Sequence, residues 1–173
     1  MPKSSISSPE SQVLIYTDGG CINNPGPGGY GAILIHNGKT QEFSGGFRLT
    51  TNNRMELTAA IVALQNLPPH SKGTLYSDSR YLVDSMEKGW ARGWQANKWR
   101  KSDKTRALNA DLWQQILSLC SQHEIKFIWV EGHAGHPQNE RCDRLAVESS
   151  HRKNMPVDTG YEIVPAAKQL GLL

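Results

Sequence analysis

The chain has 173 residues, 38% of them hydrophobic, which fits one globular domain with a real core and leaves little room for a second. No apolar run approaches a membrane span, and the polar first ten residues, expected to form a disordered leader, lack the apolar stretch of a secretory signal. Three cysteines without a C-x-x-C pair exclude a disulfide framework and suit a reducing cytoplasm, and a net charge of +3 says little until its distribution is known.

Residues 13–17 are β-prone and almost continuously apolar, which predicts a central strand buried on both faces. A glycine- and proline-rich stretch reads as a loop. A strand over 30–36, the Asn37-Gly38 turn signal and a second run over 40–49 then predict a hairpin. Helical spacing over 53–67 ends at Pro68-Pro69. A strand over 75–77 and a helix near 79–88 follow, then a tryptophan-bearing basic segment, a helix near 109–122, a strand over 125–130 and a helix from Pro137 to about 151. The tail beyond Arg152 is polar, with a flexible end expected over 164–173. A meander followed by strand–helix alternation predicts an α/β fold, one mixed sheet covered by helices.

Four acids draw attention. Asp18 and Asp78 sit in echoing contexts, Tyr16-Thr17-Asp18-Gly19 and Tyr76-Ser77-Asp78-Ser79, each near the carboxyl end of a predicted strand. Parallel pairing would bring them together in the crevice where open sheets bind ligands; alternatively Asp78 caps a helix and Asp18 starts a turn. Glu56 either completes a capping box begun at Asn53 or points along the sheet-facing stripe of its helix, where an acid is costly without a cation. Asp143 falls inside the last helix, a position that is ordinarily solvated. Were all four to converge they would repel one another unless divalent ions neutralised them, and oxygen-only ligands favour Mg²⁺, with Mn²⁺ as a substitute.

His133 and His136 lie on a strand-to-helix loop, where a histidine can pass protons. A zinc site from His133, His136 and Cys142 matches no usual ligand spacing. The run Gly26-Pro27-Gly28-Gly29-Tyr30-Gly31 formally matches a dinucleotide fingerprint, but it leads into a strand and not a helix, and is rejected as one. Residues 88–106 hold seven basic side chains against Asp103 alone, leaving 12 basic and 15 acidic residues elsewhere. Trp90, Trp94 and Trp99 interleave with Lys98, Arg100 and Lys101, a pattern that suits a nucleic-acid platform with Trp94 towards the ligand, or a helical hairpin anchored by its rings.

The runs Tyr16 to Gly19, Asn24-Pro25-Gly26-Pro27-Gly28-Gly29-Tyr30-Gly31, Thr51-Asn52-Asn53-Arg54-Met55-Glu56-Leu57, Asp78-Ser79, Gly132-His133-Ala134-Gly135-His136-Pro137 and Asn139-Glu140-Arg141-Cys142-Asp143 together resemble bacterial type 1 ribonuclease H over about residues 11–163. The resemblance implies a ribonuclease H-like fold, a five-stranded mixed sheet flanked by helices. It also implies an endonuclease that cuts the RNA strand of RNA–DNA hybrids to 5′-phosphate and 3′-hydroxyl ends. In that family pattern Asp18, Glu56, Asp78 and Asp143 bind two Mg²⁺ ions, one activating the attacking water and one stabilising the leaving oxygen. His133 matches the family's mobile histidine. Asn24, Asn52 and Asn53 match groove-contacting positions, Thr51 and Asn109 a pocket for a DNA phosphate, and the basic segment the family's handle. RNA would be chosen by its 2′-hydroxyl.

Three positions depart from the family pattern: Leu49 where an arginine can stand, Arg80 where glutamine is common, and Gly20 in place of a serine. A cytoplasmic monomer without an obligate protein partner is expected. Beside hydrolysis stand two other readings, a non-catalytic hybrid-binding module of the same fold and a different metal nuclease on the same kind of sheet.

Overall fold

A computed structural model describes residues 11–162, so the expectations for the leader over 1–10 and the tail over 164–173 lie outside the described residues. The chain opens with a meander: β1 (Val13–Cys21) pairs antiparallel with β2 (Gly26–His36), and β2 with β3 (Lys39–Thr50). Asn37 and Gly38, at φ 51° and 73°, turn the second hairpin with the paired left-handed residues that a tight hairpin needs. After α1 (Asn52–Gln65), β4 (Lys72–Ser77) lies parallel to β1. The helices α2 (Arg80–Glu87), α3 (Trp90–Ala96) and α4 (Ala110–Cys120) then lead to β5 (Glu124–Trp129), parallel to β4, and α5 (Pro137–Ser150) follows. The resulting five-stranded mixed sheet has the order β3-β2-β1-β4-β5, with β1 at its centre as the sequence predicts.

The two faces of β1 are covered differently. Ile15 and Thr17 face the larger core with Ala32, Leu34, Leu57, Leu64, Leu75 and Ile116 beneath α1, α2 and α4. Trp113 is fully buried there, and its indole N–H donates to the Tyr81 hydroxyl at 2.9 Å, so the largest core side chain leaves no polar atom stranded. On the opposite face Ile33, Cys142 and Leu145 form a smaller cluster under α5, joined by Tyr16 and Ile35.

One expectation is overturned. The glycine-rich stretch read as a loop is the first part of β2, and the reason is packing. A Cβ on Gly29 would lie 2.0 Å from the Ala146 carbonyl oxygen, and one on Gly31 2.4 Å from that of Cys142. The glycines mark where a helix backbone presses on a strand. In the same way β1 continues past residue 17 to Cys21, and β4 begins at Lys72. The tail also contributes more than its composition suggests. The Arg48 N–H donates to the Pro156 carbonyl at 3.0 Å, and Asp158 is buried at 4% exposure.

In the basic segment, α3 gives way to a short hairpin closed by a bridge between Arg100 and Arg106, with Lys98, Trp99 and Lys104 at positive φ. Trp94 and Trp99 are half-buried against the larger core, Trp94 edge-on to Trp113 at 6.0 Å. These two take the anchoring role expected for some of the rings, Trp94 in place of the ligand-facing role expected for it, while Trp90 is 46% exposed with the Lys88 ammonium 5.0 Å from its ring centre.

Candidate active site

The geometry at the carboxyl end of the sheet follows from register. Tyr16 of β1 and Tyr76 of β4 are partners across the parallel ladder, and their rings stack at 5.0 Å on the α5 face. Side chains alternate along a strand, so Asp18 and Asp78, two residues further on, project to that same face. Gly19 then exposes β1 to α1: a Cβ there would lie 2.3 Å from the Met55 carbonyl carbon and 2.5 Å from the Glu56 nitrogen. That close approach delivers Glu56 beside Asp18. Asp18 is itself paired with Gly31, the residue on which α5 rests at Cys142, and Asp143 is the next residue of that helix.

The alternatives weighed from sequence fall away locally. The cap of α1 is Thr51, whose Oγ1 accepts the Arg54 N–H at 3.2 Å, so Glu56 is no part of a capping box begun at Asn53. Ser79, not Asp78, caps α2. Carboxylate oxygens of Asp18, Glu56 and Asp78 lie within 4.8 Å of one another. Asp143 stands outside that trio but lines a cavity of about 160 Å³ with Asp18, Gly19, Cys21, Val147 and His151.

The cluster is electrostatically uncomfortable. Burial and then the neighbouring Asp78 push Asp18 up to about 7, even though its Oδ1 accepts the Gly19 N–H at 2.7 Å. Glu56 is driven well above the ordinary glutamate range, first by burial and next by Asp18 and Asp78. Asp78 is also raised by burial, while a hydrogen bond from Asn139 and the nearby His133 pull it back. The Oε2 atom of Glu56 is buried with no hydrogen-bond partner among the described residues. Repelling oxygens and an orphaned buried acceptor fit a hard divalent cation, which would satisfy all of them at once.

His133 is exposed on the loop after β5 at φ 57°. His136 is exposed too, whereas Cys142 is buried and donates its S–H to the Tyr16 carbonyl at 3.3 Å, so these three do not assemble a zinc site. Asn24, Asn52 and Asn53 are exposed together around the start of α1. Asn24 Oδ1 accepts the Asn52 N–H at 3.0 Å, and Asn52 Oδ1 the Cys21 N–H at 2.7 Å. Their acceptors being engaged, the amide N–H groups are what Asn24 and Asn52 present outward. Thr51 caps α1 and Asn109 caps α4, and both bond Arg54. Lys98 and Arg100 are exposed and Lys101 half-exposed in the basic segment.

The departures also find their places. Leu49 is 40% exposed, and Arg48 is paired with Glu162 at 2.7 Å, so it is not the missing arginine turned the other way. The guanidinium of Arg80 stacks 3.6 Å over the Trp129 ring, whose indole N–H donates to the Asp78 carbonyl. A side chain at Gly20 would meet only Asn52 Oδ1, at 3.9 Å. Two participants were given no role from the sequence, Asn139 beside Asp78 and Asp158 against Arg54. Asn139 carried a signal, since it lies four residues before Asp143 on one helix face; Asp158 carried none.

Residues 10–151 match the family model described as RNase H. A protein named Ribonuclease H from Rippkaea orientalis is 60% identical over 151 residues, covering 87% of this chain and 93% of that one. One named Ribonuclease HI from Synechocystis sp. is 50% identical over 157 residues, covering 90% and 98%. Among solved structures, LC9-RNase H1, described as a type 1 RNase H with the type 2 active-site motif, superposes with a TM-score of 0.74 at 30% identity, covering 96% of this chain and 86% of that one. LC11-RNase H1, solved in complex with RNA/DNA hybrid, superposes at 0.61 with 26% identity, covering 80% and 96%.

Proposed function

Because the chain belongs to the RNase H family, we propose that Asp18, Glu56, Asp78 and Asp143 hold two Mg²⁺ ions with which it hydrolyses the RNA strand of RNA–DNA hybrids. That the enzyme is a ribonuclease H follows from the family match and the identity of its relatives. The observation carrying the metal assignment is the convergence of Asp18, Glu56 and Asp78 within 4.8 Å around a buried, unpartnered Glu56 oxygen. When bound, the ions supply Lewis-acid activation of water and charge neutralisation on the leaving oxygen; Mn²⁺ is a workable substitute.

The protein's own groups supply the rest. Asp18, Glu56 and Asp78 would hold the ions from the sheet and α1, and Asp143 on the cavity side would complete the set. Asn139 orients Asp78. His133, exposed beside the acids, takes up or returns a proton at the leaving oxygen. Asn24, Asn52 and Asn53 direct amide N–H groups at groove acceptors, and Thr51 with Asn109 receives a phosphate of the DNA strand. Lys98, Arg100 and Lys101 contact backbone phosphates, while Trp94 shapes the platform beneath them from its seat on Trp113. The catalytic domain spans 11–163 and includes the handle at 88–106. It acts as a cytoplasmic monomer; no described helix is long and apolar enough to cross a membrane.

The test is cleavage of RNA–DNA hybrid, duplex RNA and duplex DNA side by side in Mg²⁺. Only the RNA of the hybrid should be cut, leaving 5′-phosphate and 3′-hydroxyl ends. Asp18→Asn should lose cutting yet retain hybrid binding, becoming in effect the binding module. Cutting of duplex DNA, or turnover by the Asp18→Asn protein, would refute the assignment.

A further inference from the structure

We propose that Asp158 is a positioning residue for the DNA-phosphate pocket, acting through Arg54 on Thr51 and Asn109; the proposal rests on the pocket assigned to those two residues above. Arg54 is 3% exposed, and all five of its guanidinium N–H donors are engaged. Nε and Nη2 donate to the two oxygens of Asp158 at 2.7 and 2.8 Å, Nη2 and Nη1 to those of Asp111 at 2.8 and 3.0 Å, and Nη1 to Asn109 Oδ1 at 3.3 Å. Nothing is left on this cation for a phosphate. Its effect on the pocket is therefore exerted through its neighbours.

Those neighbours are the two pocket residues. The Arg54 backbone N–H donates to Thr51 Oγ1 at 3.2 Å, which leaves the Thr51 hydroxyl hydrogen for another acceptor. Asn109, at φ 60°, gives its Oδ1 to Arg54 and one amide hydrogen to the Tyr81 hydroxyl at 3.1 Å, which leaves the second amide hydrogen. Both groups are thus fixed as donors, the polarity an anion requires. The caps of two helices meet on one residue, that of α1 at the Arg54 backbone N–H and that of α4 at its guanidinium, and the guanidinium is gripped from beyond α5.

The grip is specific. Asp158 is 4% exposed and also accepts a hydrogen bond from the Thr50 hydroxyl at 2.6 Å. A Cβ at Gly160 would lie 2.1 Å from Asp111 Oδ2 and 2.4 Å from Arg54 Nη2, so the segment closes directly over the guanidinium. Charge alone would give this arrangement the opposite effect. Two carboxylates against one guanidinium leave a negative balance beside the pocket, so removing one charge should tighten a phosphate if electrostatics decided the matter. Positioning predicts that it loosens.

The sign is measurable with Asp158→Asn, which keeps the Arg54–Asp111 pair and so does not strand the buried cation. Steady-state cleavage would be followed on hybrids that each carry one neutral methylphosphonate in the DNA strand. For the unmodified protein, KM should rise about tenfold when the neutral linkage reaches the pocket, the worth of one charged hydrogen bond. Asp158→Asn should already show about that KM on the all-phosphate hybrid, with kcat changed by less than about twofold and little further response to the neutral linkage. If the unmodified protein ignores the methylphosphonate at every position, the pocket assignment falls and the proposal with it. If it responds and Asp158→Asn responds equally, the pocket stands and positioning is overturned, as it also is by a lowered KM. Should Asp158→Asn fail to fold, Thr50→Val removes one of the three hydrogen bonds to the Asp158 carboxylate and carries the same comparison with a smaller effect.

Discussion

Glu56 is the residue at which fold and chemistry pull hardest against each other. Its carboxyl is buried beside two other acids, and its pKa is held well above normal by burial first and by Asp18 and Asp78 second. A carboxyl raised on folding contributes full stability only below its unfolded value, and that contribution is lost as pH rises towards the folded value. Glu56→Gln should therefore leave metal-free stability unchanged near pH 4 and raise it by about 1–3 kcal/mol at pH 8, read from urea unfolding. The same protein should lose at least about a hundredfold in kcat, because a proposed metal ligand is gone. Equal stability of the two proteins at pH 8 would show that the acid is not strained. Arg54 is the converse case. Burial works against its charge, yet its bonds to Asp111 and Asp158 hold the pKa above the usual arginine value. The first case asks for a cation; the second already has its anions.

At the scale of elements, two helices reach the acids by resting on glycine. Gly19 lets α1 approach one face of β1, and Gly31 lets α5 approach the other face of the sheet beside Asp18. Gly31→Ala would drive a methyl group to 2.4 Å from the Cys142 carbonyl oxygen, which only a shift of α5 relieves. We expect a loss of about 1–3 kcal/mol in urea unfolding and, because Asp143 rides on that helix, weaker Mg²⁺ binding by calorimetry. Unaltered Mg²⁺ affinity would mean that α5 does not set the site. Hydrophobic period and turn chemistry made most elements legible in the sequence, but this one was misread. Glycine in a strand resembles glycine in a loop until the helix above it is known. The far end of the sheet shows another such device: Glu87 of α2 accepts the Phe127 N–H of edge strand β5 at 2.8 Å, occupying a donor that would otherwise face solvent.

For the whole molecule, the acids link metal, pH and stability. With Asp18 raised to about 7 against an ordinary 3.8, metal-free stability should fall as pH rises from about 4 to 7, at roughly 1.4 kcal/mol per unit for a single group. If the proposed Mg²⁺ ions bind the folded state alone, they should raise the melting temperature more at pH 8 than at pH 5. Calorimetric scans with Mg²⁺ and with chelator test this, and a pH-independent shift would contradict it. Asp18 and Asp78 were identifiable from their echoing contexts, and their meeting was expected if β1 and β4 paired in parallel, as they do; Glu56 and Asp143 joined them only through the family resemblance. Asp158 was not identifiable, because a partnership spanning 104 positions leaves no trace in local spacing. The glycine seats have one more consequence. The strands and α1 by themselves assemble Asp18, Glu56 and Asp78, and only α5 adds Asp143 from the other side of the sheet. If cutting needs all four acids, as proposed, a chain whose last helix has not docked should leave nucleic acid intact, and the onset of cutting should report that docking.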